Sequence, residues 1–236
     1  MKGRAPNRPH RKRGQEEDQE ERERQVPRIT MDYFFLATQG ERASEYPMLV
    51  MLDEETGNKY MRAVGKKRLG EGKEMEWLIK DMSEELKAWG HPGGTGTGLI
   101  LKSDGEPSIK SVREALARYH GGRITPESPL PGESQANGGA EEAGKTVRGY
   151  VKVFKDAIEH RARTKIPTDK PILQWLVRGA AVVISRFKVG EGGKTPYQRQ
   201  TRRKYQEEVV PFGELVHYRR LNEDSKRNKM DSPWEE

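Results

Sequence analysis

The chain of 236 residues contains no cysteine. That absence excludes disulfides and cysteine-ligated zinc sites. Histidine is scarce as well: His10, His91, His120, His160 and His217 are scattered, and none pairs at HxxxH spacing. Each is expected to be structural or superficial, and no zinc is expected. No run approaches the roughly 18 apolar residues of a membrane span, and no apolar N-terminal segment resembles a secretory signal. No membrane partner is therefore expected, and an intracellular location is. Hydrophobic residues make up only 32% of the chain against 34% charged, which implies a compact core with polar flanks.

What is abundant is positive charge. The formal net charge is +7 and the pI about 9.4, a balance that favours a polyanion, with nucleic acid first among them. Residues 1–27 run from basic (Lys2, Arg4, Arg8, Arg11, Lys12, Arg13) to acidic (Glu16, Glu17, Asp18, Glu20, Glu21, Glu23). Almost nothing there can be buried, so a disordered tail is expected. Its basic half is a candidate for nuclear import or DNA contact.

The core is expected over residues 28–190. Strands are predicted over Arg28–Leu36, Pro47–Leu52 and Lys59–Val64. The turn formers of Asp53-Glu54-Glu55-Thr56-Gly57-Asn58 join the last two as a hairpin. Met75, Leu78, Ile79, Met82, Leu86 and Trp89 recur at helical spacing over Lys73–Trp89, and Gly90 and Pro92 end that helix. The glycine-rich run Gly93–Gly98 lacks a Lys-Ser/Thr ending and precedes a strand, so it reads as a flexible connector. Gly98–Ser103 is the fourth strand. A helix from Pro107 to about His120 follows, with Ile109, Val112, Leu116 and Tyr119 on one face. Arg123–Thr125 is a short fifth strand, Pro126–Gly139 a loop, and Ala140 to about Arg163 a long helix. Pro171–Phe187 is another, carrying Ile172, Trp175, Leu176, Ala180, Val183 and Ile184. The pattern predicts an α/β fold, a mixed sheet of about five strands with the first three antiparallel, flanked by helices and with disordered termini. Residues 191–236 read as a basic linker (Arg199, Arg202, Arg203, Lys204). An incomplete β segment follows, with one or two short strands before Tyr218 and a polar tail after Leu221.

Three carboxylates stand out against this pattern. Asp32 lies inside the apolar run Met31-Asp32-Tyr33-Phe34-Phe35, where a charge is costly unless compensated. Asp104 ends the fourth strand, where open sheets place ligand groups. Glu141 opens the long helix. Mg²⁺ or Mn²⁺ prefers such hard oxygen ligands, and paired ions can drive an in-line displacement at phosphorus. Taken singly, Asp104 could as well be a turn or helix cap, and Glu141 a surface residue. Glu142 is a rival for the third position. Glu141, Lys145, Arg148 and Lys152 step by four, three and four, so they share one helix face. That face could hold DNA phosphates, or be a solvated surface stabilised by a Glu141–Lys145 pair. Val147, Val151, Phe154 and Ile158 form a separate apolar face.

These motifs resemble the catalytic core of the retroviral and retrotransposon integrases, which have the ribonuclease H-like fold. Ile29-Thr30-Met31-Asp32-Tyr33 is similar to the first aspartate motif and Leu101-Lys102-Ser103-Asp104-Gly105 to the second. Ser134-Gln135-Ala136-Asn137-Gly138-Gly139-Ala140-Glu141 is similar to the third. The 36 residues between Asp104 and Glu141 are close to the spacing that names the family's D,D-35-E pattern. Trp175 with Ala180-Ala181, then Thr195-Pro196-Tyr197, resembles the end of this region in retrotransposon polyproteins. Two positions depart from the pattern: Gly105 follows Asp104 directly, and Glu142 follows Glu141 where a basic residue is common. The resemblance implies catalysis and metal binding by Asp32, Asp104 and Glu141, with DNA contact by Asn137, Lys145, Arg148 and Lys152. It further implies Mg²⁺-dependent cleavage of DNA ends and strand transfer without a covalent enzyme intermediate, in a homo-oligomer on DNA in the nucleus. The alternatives are an inactive nucleic-acid-binding relic or fragment of the same fold, or a ribonuclease H-like nuclease.

Overall fold

The structure, a computed structural model, describes residues 26–36, 47–65, 72–94, 98–129, 138–167, 170–219 and 234–235. The expected tail over 1–27 lies almost wholly outside them, as does Asn137. Five strands form one sheet: β1 Arg28–Phe34, β2 Met48–Asp53, β3 Lys59–Ala63, β4 Leu99–Ser103 and β5 Ile124–Glu127. Their order is β3-β2-β1-β4-β5. β1, β2 and β3 are mutually antiparallel, while β4 runs parallel to both β1 and β5. The mixed α/β sheet expected from the sequence is therefore present.

Alternation along β1 decides what lies on each side. Ile29, Met31 and Tyr33 join Leu49, Met51 and Leu101 on one face. Helices α1 (Lys73–Ala88) and α2 (Pro107–His120) cover it with Leu78, Met82, Leu86, Ile109, Val112 and Leu116. On the opposite face, Met48, Val50 and Met61 pack against α3 (Gly138–Ala162) and α4 (Ile172–Phe187). The apolar face expected for α3 is seen, with Val147 and Val151 buried and Phe154 and Ile158 packed against them.

Several details depart from the expectation. Tyr119 and Trp175, counted on apolar helix faces, are more than half exposed. On α2, Arg113 and His120 are buried instead, because both find polar partners: Ser83 Oγ lies 2.8 Å from His120 Nδ1. The fifth strand runs on to Glu127, with Pro126 at the sheet edge, where its missing N–H costs no ladder bond. α3 begins two residues early, at Gly138. The segment taken as a flexible connector is packed where it is described. Gly93 and Gly94 have positive φ and cross the Gly121-Gly122 turn, so closely that a Cβ on Gly122 would lie 2.6 Å from the Gly94 carbonyl oxygen.

The 3₁₀ turn Glu191–Gly193 leads to a short helix, α5 (Pro196–Thr201), that the periodicity did not reveal. Thr195 and Gln198 form a capping box, with Pro196 at the first helical position. Asn58 Nδ2 donates to Gln200 Oε1 (2.8 Å), and Gln200 Nε2 donates to the Ala88 carbonyl, so α5 straps the β2–β3 turn to the end of α1. The β segment expected before Tyr218 reduces to β6 (Tyr218–Arg219). It pairs with β7 (Trp234–Glu235), inside the region read as a polar tail.

Candidate metal and nucleic-acid site

The site is built on the central pair of strands. The parallel pairing of β1 and β4 ends at Met31 and Ser103, and Asp32, inside β1, and Asp104, just past β4, are the next residue on each. Both aspartates are half-buried. Asp32 accepts a bond from its neighbour's Tyr33 N–H at 2.7 Å. Asp104 Oδ1 accepts from the Glu106 N–H at 3.0 Å, so it also shapes the turn into α2. The turn-forming role considered for Asp104 is thus present alongside its placement beside Asp32.

The strand end carrying Asp104 is anchored by a residue that periodicity could not flag. Arg113 of α2 is only 6% exposed. Its Nη1 donates to Ser103 Oγ (3.2 Å), the Glu127 carbonyl (2.6 Å) and Ser128 Oγ (2.8 Å). One guanidinium therefore ties β4, β5 and α2 together immediately before Asp104. Burial, and after it the carboxylate of Glu106, push the Tyr33 hydroxyl up to about 12, so Tyr33 stays protonated beside the site at ordinary pH.

α3 reaches the same end of the sheet through a close approach. Gly144 meets the Phe34 ring so tightly that any Cβ would collide with it, and Gly139 lies against Leu52. Arg148 Nη2 donates to the Phe35 carbonyl (2.9 Å), with its guanidinium 4.5 Å from the centre of the Phe34 ring. Arg148 therefore turns inward from the proposed basic face and docks α3 on β1. Glu141, Lys145 and Lys152 remain on the exposed side. Glu141 pairs with Lys145 at 3.8 Å, both more than half exposed, which is the helix-surface pair considered from the sequence. Among the described residues, no group of three or more His, Asp or Glu side chains is close enough to hold a metal ion. The structure puts Asp32 and Asp104 one residue past the paired Met31 and Ser103 and places Glu141 on the helix docked over β1. It leaves Glu141 turned to Lys145.

Far along α3, Glu159 is buried and salt-bridged to Lys155 and Lys165 (2.8 Å), with the Ile166 N–H donating at 2.7 Å. These bonds hold its carboxyl down at about 2. An acid this well partnered closes the helix end, and nothing in the local sequence signals it.

No protein-family model matches the chain, and no curated protein sequence does. Solved structures do. A chain of the simian T-cell lymphotropic virus intasome, solved in complex with the PP2A regulatory subunit B56 gamma, superposes with a TM-score of 0.52 at 15% identity. The match covers 89% of this chain and 68% of that one. The HTLV-2 integrase catalytic core domain, in complex with magnesium in a trimeric form, is similar at 14% identity and a TM-score of 0.48. That match covers 74% of this chain and 97% of that one. No described helix is long and apolar enough to cross a membrane. The α/β fold, with its five-stranded mixed sheet between two helical layers, is the fold of a retroviral intasome chain.

Proposed function

We propose that this chain is a divalent-metal-dependent polynucleotidyl transferase that cleaves DNA ends and joins them to target DNA, as a retrotransposon integrase of the nucleus does. The observation that supports the reading is the register of β1 and β4, which pairs Met31 with Ser103, so that Asp32 and Asp104 each follow one residue on. α3 docks over β1 through Gly144 and Arg148 and carries Glu141 in its first turn. The donor set fits Mg²⁺ or Mn²⁺. Such an ion takes one or two carboxylates and completes its shell with water and substrate phosphate. Asp32, Asp104 and Glu141 would hold it, and when bound it supplies activation of the attacking oxygen and stabilisation of the leaving one. The chain's own residues do the rest. Arg113 fixes the strand end beside Asp104. Lys145 and Lys152 face outward from α3, where they would hold phosphates of the DNA backbone. Asn137 precedes this helix and would contact DNA near its N-terminus. A second copy of the chain would be needed to hold the two DNA ends, so a homo-oligomer on DNA belongs to the proposal.

A second reading has an observation in its favour. Asp104 is engaged in the turn and Glu141 in its pair with Lys145, as in a chain that binds nucleic acid without cutting it. Labelled duplex DNA with Mg²⁺ or Mn²⁺ separates the two. Cleaved and joined products are expected from the wild type, and their loss by at least a hundredfold from Asp104→Asn and from Glu141→Gln. A wild type that binds DNA but yields no product with either metal leaves the binding reading and removes the enzyme. Preferential cutting of RNA–DNA hybrids would point instead to a ribonuclease H-like nuclease.

A further inference from the structure

Aromatic rings and positive charge meet where α4 ends and α5 follows. Residues 186–204 hold seven lysines and arginines against one acid, Glu191, a concentration that accounts for most of the chain's formal net charge of +7. Lys188, Lys194, Arg202, Arg203 and Lys204 are all exposed. Among them stand three rings: Phe187 closes α4, Tyr197 lies in α5, and Tyr205 comes after it. Tyr205 is the hub. Its ring centre is 5.4 Å from that of Phe187 and 5.2 Å from that of Tyr197, both edge-to-face. The Arg186 guanidinium lies 4.5 Å from the centre of the same ring, and Tyr205 Oη donates to Glu207 Oε2 at 3.0 Å. Two ring contacts, a cation and a hydrogen bond hold Tyr205 in place.

Burial does not account for this cluster. Tyr197 and Tyr205 are half-buried, but Phe187 is 45% exposed and the adjoining Val189 60% exposed. None of the three rings joins the hydrophobic clusters on either face of the sheet. Lys188 Nζ lies 3.5 Å from Thr146 Oγ1, one residue past Lys145 on α3, so the patch adjoins the proposed DNA face. An exposed ring set in positive charge suits a ligand that presents both flat apolar faces and phosphates. Duplex DNA keeps its bases stacked on one another and offers a protein phosphates and groove edges. An unpaired strand offers phosphates and free base faces together, and aromatic side chains in basic surroundings hold single strands without sequence preference. An acidic polypeptide would satisfy the cations and leave Phe187 without a stacking partner.

We propose that Phe187, supported by Tyr205 and Tyr197 and accompanied by the cations Lys188, Arg203 and Lys204, is a binding surface for single-stranded DNA, on which an unpaired base stacks against Phe187. The surface rests on the reading that the chain takes DNA, and it adds that part of that DNA is unpaired.

The test is fluorescence anisotropy of the full chain with a labelled oligodeoxythymidylate of about 12 nucleotides and, separately, with a labelled duplex. Phe187→Ala is expected to weaken binding of the single strand by about 5- to 150-fold, the range of one lost base–aromatic stack, with duplex affinity unchanged. Phe187→Trp keeps a stacking face and should bind the single strand at least as tightly as the wild type. Arg203→Gln and Lys204→Gln are each expected to lower the single-strand slope of log affinity against log salt by about 0.7, the value of one lost phosphate contact. Phe187 is exposed, so its variants should fold as the wild type does, which circular dichroism checks. A single-strand affinity that Phe187→Ala leaves unchanged, or lowers equally with that for duplex, would remove the stacking surface and leave the DNA reading intact. A wild type that binds duplex alone would do the same, and one that binds neither would remove both. Tighter binding of oligouridylate than of oligodeoxythymidylate would assign the surface to RNA. Binding of polyglutamate that Phe187→Ala weakens equally would assign it to an acidic polypeptide. Either outcome overturns the proposal.

Discussion

The two faces of the sheet are equally well filled but differently committed. The face under α1 and α2 is closed: Met31, Leu101, Met82 and Leu116 are fully buried, and the buried Ser83 bonds His120. The face under α3 and α4 has a comparable apolar centre. At its rim, however, it carries exposed charges: Glu141 paired with Lys145, and Lys188 within reach of Thr146. An arginine, Arg148, joins the two regimes by turning a surface cation into a helix dock. One layer is scaffold, and the other is scaffold with a chemical edge.

Substitutions can break that comparison. The largest loss of stability is expected from Leu101→Ala on the closed face. It removes a fully buried side chain and should cost about 2–5 kcal/mol, measured by urea unfolding, with DNA affinity per folded molecule unchanged. A drop in affinity of the folded fraction would show that the closed face is not passive. Gly144→Ala comes next, at about 1–3 kcal/mol, because its methyl would collide with the Phe34 ring. Here stability and product formation should fall together, since the same contact seats the helix that bears Glu141. Glu141→Gln is the mildest for the fold. It removes one exposed ion pair worth about 0.3–0.5 kcal/mol, so the melting temperature should barely move while product disappears. A melting temperature that falls as far as in Gly144→Ala would mean that Glu141 belongs to the scaffold.

Much of this division was legible in the sequence. Alternation fixed β1 to β4 within a residue or two, and Pro107 with Gly121 bounded α2 at its observed ends. Asp32, Asp104 and Glu141 stood out because each interrupts or terminates a regular pattern. The misses share a physical cause. Arg113 and His120 are buried because of partners 10 to 37 residues away, and a helical repeat counts only neighbours three and four apart. Tyr119 and Trp175 satisfy the repeat yet lie outside what the sheet covers. The inward turn of Arg148 depends on Phe34 and Phe35, more than a hundred residues earlier. α5 did carry a signal, Thr195-Pro196-Tyr197-Gln198, but a six-residue helix is too short to show a period.

The strap that α5 lays across the molecule has a practical consequence for cutting the chain into pieces. Gln200 bonds both the hairpin turn at Asn58 and the last carbonyl of α1 at Ala88. A fragment ending at Phe187 would keep every strand of the main sheet and every large helix. It would still leave the Asn58 amide and the Ala88 carbonyl without their Gln200 partner. The shortest self-contained version of this core therefore extends at least to Thr201.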